Sequence, residues 1–561
     1  MTSTTPVIST TSVTEHLRLW QLGALVALCL IMFLPGFFTL PPVDRDEARF
    51  AQASRQMVES GDYVSIRFQD VARLKKPIGI YWLQAASARL FATPGQAEIW
   101  PYRVPSLLGA IAAVLATAWA GSRLFGATTG FAAALMLAGC VVLGVEARLA
   151  KTDAVLLATI VVAQGALARI WLERRVAGAA GWGMPIVFWL AIGVGILVKG
   201  PIGPMVSGLT ILVLGLHERR FDWLRRLRPW LGLAVVVAIV SPWLVAITIK
   251  TGGLFFSESV GHDLMGKVAA GQEGKGLPPG YFIGVFWLTF APYALGAALA
   301  VPWVWTNRRD PAVLFCLAWL IPVWLVFEAV PTKLPHYNLP VFPALALLIA
   351  RAARDHFGRT AALPRTGLFV SAAGLAGSVA LALPVAVALV PWLADRRLVW
   401  AALPLAAVAA VTVIGAIVLV WQRREALALA LAFGGYALLA FAVFQLVLPV
   451  LEAPWLSSRI AERVAELRPC TSTRLVSADY SEPSLVFLVG TNTHLGGGDH
   501  AADHLRNDPV CALSLVQGEA EPLFRRRLNG FAVRPLATFQ GFNYSRGKFQ
   551  SLTLYAAEHT P

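Results

Sequence analysis

Three carboxylates and two guanidiniums fall within six residues in Val43-Asp44-Arg45-Asp46-Glu47-Ala48-Arg49-Phe50. Two readings fit this cluster. It is a helix start whose acidic residues complement the helix dipole, or it is a general base held among cations that bind phosphate. In the second reading one carboxylate takes the proton of an acceptor hydroxyl as a carbon is attacked. Positive charge then stabilises a departing phosphate. A second cluster, Arg73-Leu74-Lys75-Lys76-Pro77, sets two lysines before a proline at a helix start, with Tyr81 and Trp82 following. It is either an interfacial anchor or a phosphate site made of ammonium charge and a helix N-terminus. Smaller groups are Arg148, Lys151 and Asp153; Lys199 before Gly200 and Pro201; His262 and Asp263 in a Gly-rich loop; and Lys333-Leu334-Pro335-His336-Tyr337-Asn338-Leu339-Pro340.

The elements that must hold these groups are membrane spans. The chain has 561 residues, 57% of them hydrophobic and only 14% charged, against about a quarter charged in a soluble protein. Its net charge of +15 does not mark a nucleic-acid binder. The arginines sit in short pairs between apolar runs, as at Arg174-Arg175, Arg219-Arg220, Arg225-Arg226, Arg308-Arg309 and Arg423-Arg424, which is the positive-inside pattern. Taking about 20 apolar residues per span, about thirteen runs qualify, near 19–40, 104–122, 127–147, 153–172, 183–198, 201–216, 229–249, 281–305, 311–330, 337–353, 366–392, 398–421 and 426–450. The first is too long for a signal-peptide core.

With the N-terminus inside, the arginine-rich connections all fall inside, including Arg351, Arg354, Arg359 and Arg365. Every group singled out above then falls on the outer face. Charges gathered at one membrane boundary mark a shared functional cavity. The segment 41–103 is expected to carry interfacial helices at 46–59 and 77–90. The tail from 451 turns polar and Gly-rich, with strand-like runs at Arg474–Val476, Leu485–Val489 and Ser551–Tyr555. The chain therefore reads as a mainly α polytopic bundle, residues 1–450, with the catalytic loop 41–103, followed by a small extracytoplasmic α/β domain, 451–561. Cys29, Cys140 and Cys316 lie in apolar runs and behave as small hydrophobes. Cys470 and Cys511 lie in the tail, where a disulfide is allowed.

Asp46-Glu47-Ala48-Arg49-Phe50, Gly61-Asp62, Lys76-Pro77 with Tyr81-Trp82, Lys199-Gly200-Pro201 and the Lys333–Pro340 stretch, taken in order, resemble the protein-O-mannosyltransferase-like family. The nearest branch is the lipid A aminoarabinose transferases. The resemblance covers about 1–350. It implies the GT-C membrane fold and an inverting transferase that uses polyprenyl-phosphate sugars. It implies Asp46 as the catalytic carboxylate, with Asp153 near the sugar and acceptor. Glu47, Arg49, Lys75, Lys76, Tyr81, Lys199, His262, Lys333, His336 and Tyr337 are the substrate-binding candidates, with Arg49 and Lys76 on the phosphate.

One departure stands out. In that branch a Glu precedes the Lys-Pro pair and joins a later His at a metal site; here Lys75 takes its place, and His262 matches the later His. The expectation is no metal and no cofactor, and an extra anion-binding charge instead. The stretch Lys275-Gly276-Leu277-Pro278-Pro279 also departs from the family pattern.

The expected partners are a polyprenyl-phosphate sugar donor, a lipid or glycolipid acceptor of the lipid A or core type, and membrane lipids, with no nucleic acid. The expected location is the inner membrane, N-terminus cytoplasmic and C-terminus periplasmic. Protein O-glycosylation by the same chemistry and transport of a lipid-linked sugar are the alternatives. A transporter calls for charges within the spans, whereas these hug one face.

Overall fold

The computed structural model of the protein describes residues 17–175, 181–266, 276–357 and 367–558. Met1 to His16, Lys275, Arg359 and Arg365 lie outside the described residues. The chain is a helical bundle followed by a five-stranded sheet. Each apolar run read above holds a helix. Among the described residues, seven helices are long and apolar enough to cross a membrane, or eight if the bent pair Tyr281–Thr289 and Ala294–Asn307 is one span. Four further apolar helices are shorter, among them Gly183–Lys199 and Ile202–Glu218. The first run is helical only over Leu19–Phe33, because Pro35 and Gly36, the latter at φ +77°, turn the chain beyond it. The chain is a multi-span membrane protein.

Close helix approach places the ends that carry the candidate residues side by side. A Cβ on Gly109 would meet the Val155 backbone at 2.8 Å, so helix Trp100–Phe125 lies directly on helix Asp153–Leu172. A Cβ on Gly79 would meet the Leu197 carbonyl oxygen at 2.7 Å. The start of helix Gly79–Phe91, just after Lys75 and Lys76, is thereby set against the end of helix Gly183–Lys199. Small residues that let backbones touch are how membrane helices gain packing without a hydrophobic driving force. At the opposite end of helix Asp153–Leu172, Arg174 pairs with Glu218, and Arg226 donates to the Glu173 carbonyl at 2.6 Å.

The segment 41–103 carries helix Asp46–Ser60, a two-residue hairpin β1 (Arg67–Phe68) and β2 (Val71–Ala72), and helix Gly79–Phe91. In the tail, β3 (Arg474–Ala478), β4 (His494–Gly496), β5 (Ala512–Gln517), β6 (Val533–Asn543) and β7 (Lys548–Ala557) form one sheet in the order β4-β3-β5-β7-β6. The first three strands run parallel and the last two pair antiparallel. Cys470 and Cys511 are joined by a disulfide.

Leu485–Val489, expected as a strand, is part of helix Pro483–Val489. Pro483 opens it at a first-turn position that suits proline. An apolar run this short does not by itself tell a strand from a buried helix. That helix carries the docking of the tail onto the bundle. Arg55 donates to the Phe487 carbonyl at 2.8 Å, and the Phe487 ring meets Tyr102 edge-on at 5.5 Å.

Candidate active site

The site starts from one buried ion pair. Arg103 is fully buried and donates twice to Glu47, at 2.8 and 3.0 Å. Its remaining donors go to the carbonyls of Phe37, Leu40 and Pro41. Glu47 also accepts from the backbone N–H of Val43 and of Ala150, each at 2.8 Å. A buried pair is tolerated when all its hydrogen-bonding capacity is met, as it is here. This pair joins four pieces of chain: the 37–41 segment beyond the first helix, the start of helix Asp46–Ser60, helix Trp100–Phe125 and the 147–152 segment. Both carboxylate oxygens of Glu47, a substrate-binding candidate in the sequence, are thus engaged within the protein frame.

With Glu47 pinned inward, its neighbour Asp46 faces the opposite way, into a water-accessible cavity of about 120 Å³. Arg49, Arg73, Lys75, Lys76, Lys151, Asp153, Lys199, Asp263, His336 and Tyr337 line the same cavity. Structure thus unites eight of the sequence candidates: Asp46, Arg49, Lys75, Lys76, Asp153, Lys199, His336 and Tyr337. Burial alone raises the Asp46 carboxyl, but Lys151, Arg73, His336 and Arg49 outweigh it and hold the group below its ordinary value. Asp46 is an ionised carboxylate in a cation-rich chamber.

Four candidates stand elsewhere. Glu47 is spent on Arg103, as described. Tyr81 is fully buried behind the wall, and its hydroxyl accepts from Arg73 Nε at 3.3 Å. Lys333 is buried and donates to the Val330 carbonyl at 2.6 Å, away from the cavity. His262 is exposed and off the cavity wall, and the next residue, Asp263, is the one that lines it. A short π-helix over Ser257–Leu264 turns Asp263 inward, where it meets Lys76 at 3.0 Å.

Behind the cavity lies a charge network. Lys199, the last residue of its helix, pairs with Asp153, the first residue of another. Lys151 lies 3.0 Å from Glu146 and 3.8 Å from Asp153. His336 sits 3.5 Å from Glu146 and 3.6 Å from Asp153. Burial, then Lys151, push the His336 imidazole down to about 3, so it is neutral at physiological pH. Lys199 also lies over the Tyr337 ring at 5.4 Å. Arg148 belongs to the frame instead, donating to the Pro35 carbonyl at 2.7 Å and stacking on Phe444.

Among the described residues, one donor set could hold a cation. Glu146, Asp153 and His336 bring ligand atoms within 4.8 Å of one another, but Lys151 and Lys199 already answer those carboxylates. At the position of the expected family metal, Lys75 brings an ammonium in place of a carboxylate and His262 is off the wall. Glu146 and Arg103 were missed by sequence reasoning. Each is a charge within or beside an apolar run, and that is the signal that would have found them.

The polar cavity opens into a larger apolar groove of about 700 Å³, walled by residues such as Leu156, Met205, Val240, Trp243 and Phe327. Lys75, Lys76, Lys199 and Asp263 line both spaces. A cationic junction between a polar chamber and a long apolar groove suits a lipid phosphate.

The fold matches ArnT from Cupriavidus metallidurans, solved bound to undecaprenyl phosphate, with a TM-score of 0.72 over 95% of this chain and 97% of that one, at 20% identity. The chain has the GT-C fold. A second GT-C structure, the Archaeoglobus fulgidus oligosaccharyltransferase, aligns with a TM-score of 0.51 over 97% of this chain and 75% of that one, at 11% identity. Residues 75–245 match the family described as dolichyl-phosphate-mannose-protein mannosyltransferase. Undecaprenyl phosphate-α-4-amino-4-deoxy-L-arabinose arabinosyl transferases are similar in sequence. The one from Aeromonas hydrophila is 30% identical over 57% of this chain and 58% of its own length. The one from Aeromonas salmonicida is 28% identical over 58% and 59%. The matches thus span less than two thirds of these relatives' length. The resemblance read from the motifs holds, in sequence over the matched part and in fold over nearly the whole chain.

Proposed function

We propose that the protein is an inverting glycosyltransferase of the inner membrane. It moves a sugar from a polyprenyl-phosphate donor to an envelope glycolipid, of lipid A or core type, at the periplasmic face. The observation that carries this is the seating of ionised Asp46 in a cation-lined chamber that opens, through Lys75, Lys76 and Lys199, into an apolar groove.

Each part has a task. The groove takes the prenyl chain. Lys76 and Lys199 hold the phosphate at the junction, and Arg49 approaches it from the chamber side. Asp46 accepts the proton of the acceptor hydroxyl as its oxygen attacks the anomeric carbon from the face opposite the phosphate. The carbon–oxygen bond to phosphate breaks, and the ammonium groups take up the developing charge. Asp153, fixed by Lys199 and Lys151, orients the sugar and acceptor, and Tyr337 walls the junction. In this reading residues 1–450 are the transferase unit and 451–561 a second, periplasmic unit that braces it. The N-terminus is cytoplasmic.

The test is mass spectrometry of envelope glycolipids from cells with and without the protein. Loss of one defined sugar mass from a glycolipid is the expected result. An unchanged glycolipid profile, with the sugar lost from proteins instead, would move the acceptor to protein.

A further inference from the structure

The strand pair β6–β7 meets the bundle over another polar cavity, of about 310 Å³. Its walls come from the end of helix Gly367–Asp395 and the connection after it, the segment after Val450, helix Leu456–Leu467 and the two strands. None of the residues lining it lines the cavity of Asp46. Trp392, Leu393 and Trp400, on either side of this connection in sequence, are exposed. Exposed tryptophans at a span end sit at headgroup depth. In the proposed topology the cavity therefore lies level with the headgroups of the outer leaflet.

Its charged groups are two guanidiniums, Arg397 and Arg459, and two carboxylates, Asp395 and Glu452. Arg397 meets the acids loosely. Its Nη1 lies 3.3 Å from Glu452 and its Nη2 3.5 Å from Asp395, longer than the about 2.7–2.9 Å of a charge-assisted bond. Among the described residues, Nε and Nη2 of Arg397 are buried and make no hydrogen bond. Buried donors of this kind call for an acceptor. Asp395 is held from turning to supply it, because its oxygens accept from the backbone N–H of Glu452 at 2.7 Å and of Ala453 at 2.9 Å. Arg459 spends one donor on the Gln540 carbonyl at 3.0 Å. The Glu452 side chain is 61% exposed.

A simple anion would answer Arg397 but would stand beside two carboxylates. A simple cation has the reverse fault. A phosphate and an ammonium on one molecule answer both signs. We propose that this cavity binds the headgroup of an outer-leaflet phospholipid whose phosphodiester carries a primary amine, the ethanolamine class. The phosphodiester oxygens accept from Arg397 and Arg459, and the ammonium donates to Glu452. The acyl chains run along helix Gly367–Asp395, where Val385, Leu389 and Leu393 are exposed at a spacing of four, on one face. Such a lipid ties the bundle to the strand pair whose turn holds Asp44 and Arg45. Its binding does not depend on the transferase reading.

The test takes the delipidated full chain in detergent and reads bound lipid by native mass spectrometry. The probes are dioleoyl phosphatidylethanolamine, phosphatidylcholine and phosphatidylglycerol, and glycerophosphoethanolamine, which has the headgroup without the chains. Phosphatidylethanolamine should bind about tenfold or more tighter than either other lipid, because a quaternary amine cannot donate and a glycerol headgroup brings no ammonium. Arg397→Gln should weaken it about tenfold, and Glu452→Gln should shrink its lead over phosphatidylcholine. Melting curves check that both variants fold, and the wild-type ranking stands without them. Equal binding of the three lipids overturns the proposal. So does unchanged binding in both folded variants, which would place the lipid elsewhere. Glycerophosphoethanolamine binding as tightly as the lipid also overturns it, since the ligand would then be soluble.

Discussion

At the scale of the residue, Asp46 and its cations determine the pH behaviour. The Asp46 carboxyl lies below its ordinary value because Lys151 and Arg73 outweigh the cost of burial. Its basic form is therefore fully populated throughout pH 5–7. His336, pushed down to about 3, does not titrate in that window either. We expect kcat/KM to stay level as pH falls from 7 to 5. A loss with a midpoint near pH 6 would mean that the base is some other group. The residue scale also shows where sequence reasoning stops. Asp46, Asp153, Lys199 and His336 stand out because each is charged or polar at the end of an apolar run. Glu47 stands out equally, yet its role is decided by Arg103, 56 residues away. No local pattern carries that pairing, so adjacent carboxylates of similar appearance have different tasks.

At the scale of the element, the C-terminal domain holds the turn that presents Asp46. Arg45, the residue before Asp46, has φ +66°, a conformation that a non-glycine residue rarely adopts and that costs about 1–3 kcal/mol. The β6–β7 turn braces it. The Tyr544 hydroxyl accepts from the Asp44 N–H at 2.7 Å, the Ser545 carbonyl accepts from Arg45, and Asp44 accepts from the Ser484 N–H at 3.1 Å. Tyr544→Phe should lower stability by about 1 kcal/mol, the worth of one hydrogen bond, and should reduce kcat more than it changes KM for the donor. Unchanged kcat would show that the brace does not position Asp46.

The same contact responds to pH. Burial, and then Glu482, push the Asp44 carboxyl up to about 7, well above the roughly 3.9 of an unfolded chain. The folded state binds the extra proton between those values, so stability falls as pH rises toward 7 and levels off above it. Asp44→Asn removes this slope. Its melting temperature should gain on wild type between pH 5 and 7.5, and parallel curves would refute the assignment. None of this brace was visible in the sequence, because its partners lie more than 400 residues apart. The helix at Pro483–Val489 was hidden for another reason. A seven-residue apolar run has no periodicity to separate strand from helix.

At the scale of the whole molecule, the apolar runs already contained the helices of the bundle, and the arginine pairs supplied the proposed orientation. Hydrophobic length and loop charge are set by the bilayer and not by distant contacts. What they could not show is which outer-face groups converge. That depends on helix approaches such as Gly79 on Leu197 and on the turn that brings in Asp263 and leaves out His262 and Lys333. Sidedness is testable directly, since Cys29, Cys140 and Cys316 are buried and Cys470 is bonded to Cys511. Gln96 lies in the loop before Trp100, on the cavity side, and Gln422 follows helix Leu403–Trp421 at the other end. In whole spheroplasts, an impermeant maleimide should label Gln96→Cys and spare Gln422→Cys. The reverse pattern would invert the proposed topology.

The central claim is that Asp46 drives sugar transfer off a lipid phosphate within one outward-facing cavity. The most direct test is release of free polyprenyl phosphate by the purified protein, measured with and without acceptor, for wild type and Asp46→Asn. We expect release only when acceptor is present, and a fall of about 100-fold or more in the variant, the loss of a general base, with its melting curve preserved. Wild-type release by folded Asp46→Asn would contradict the account.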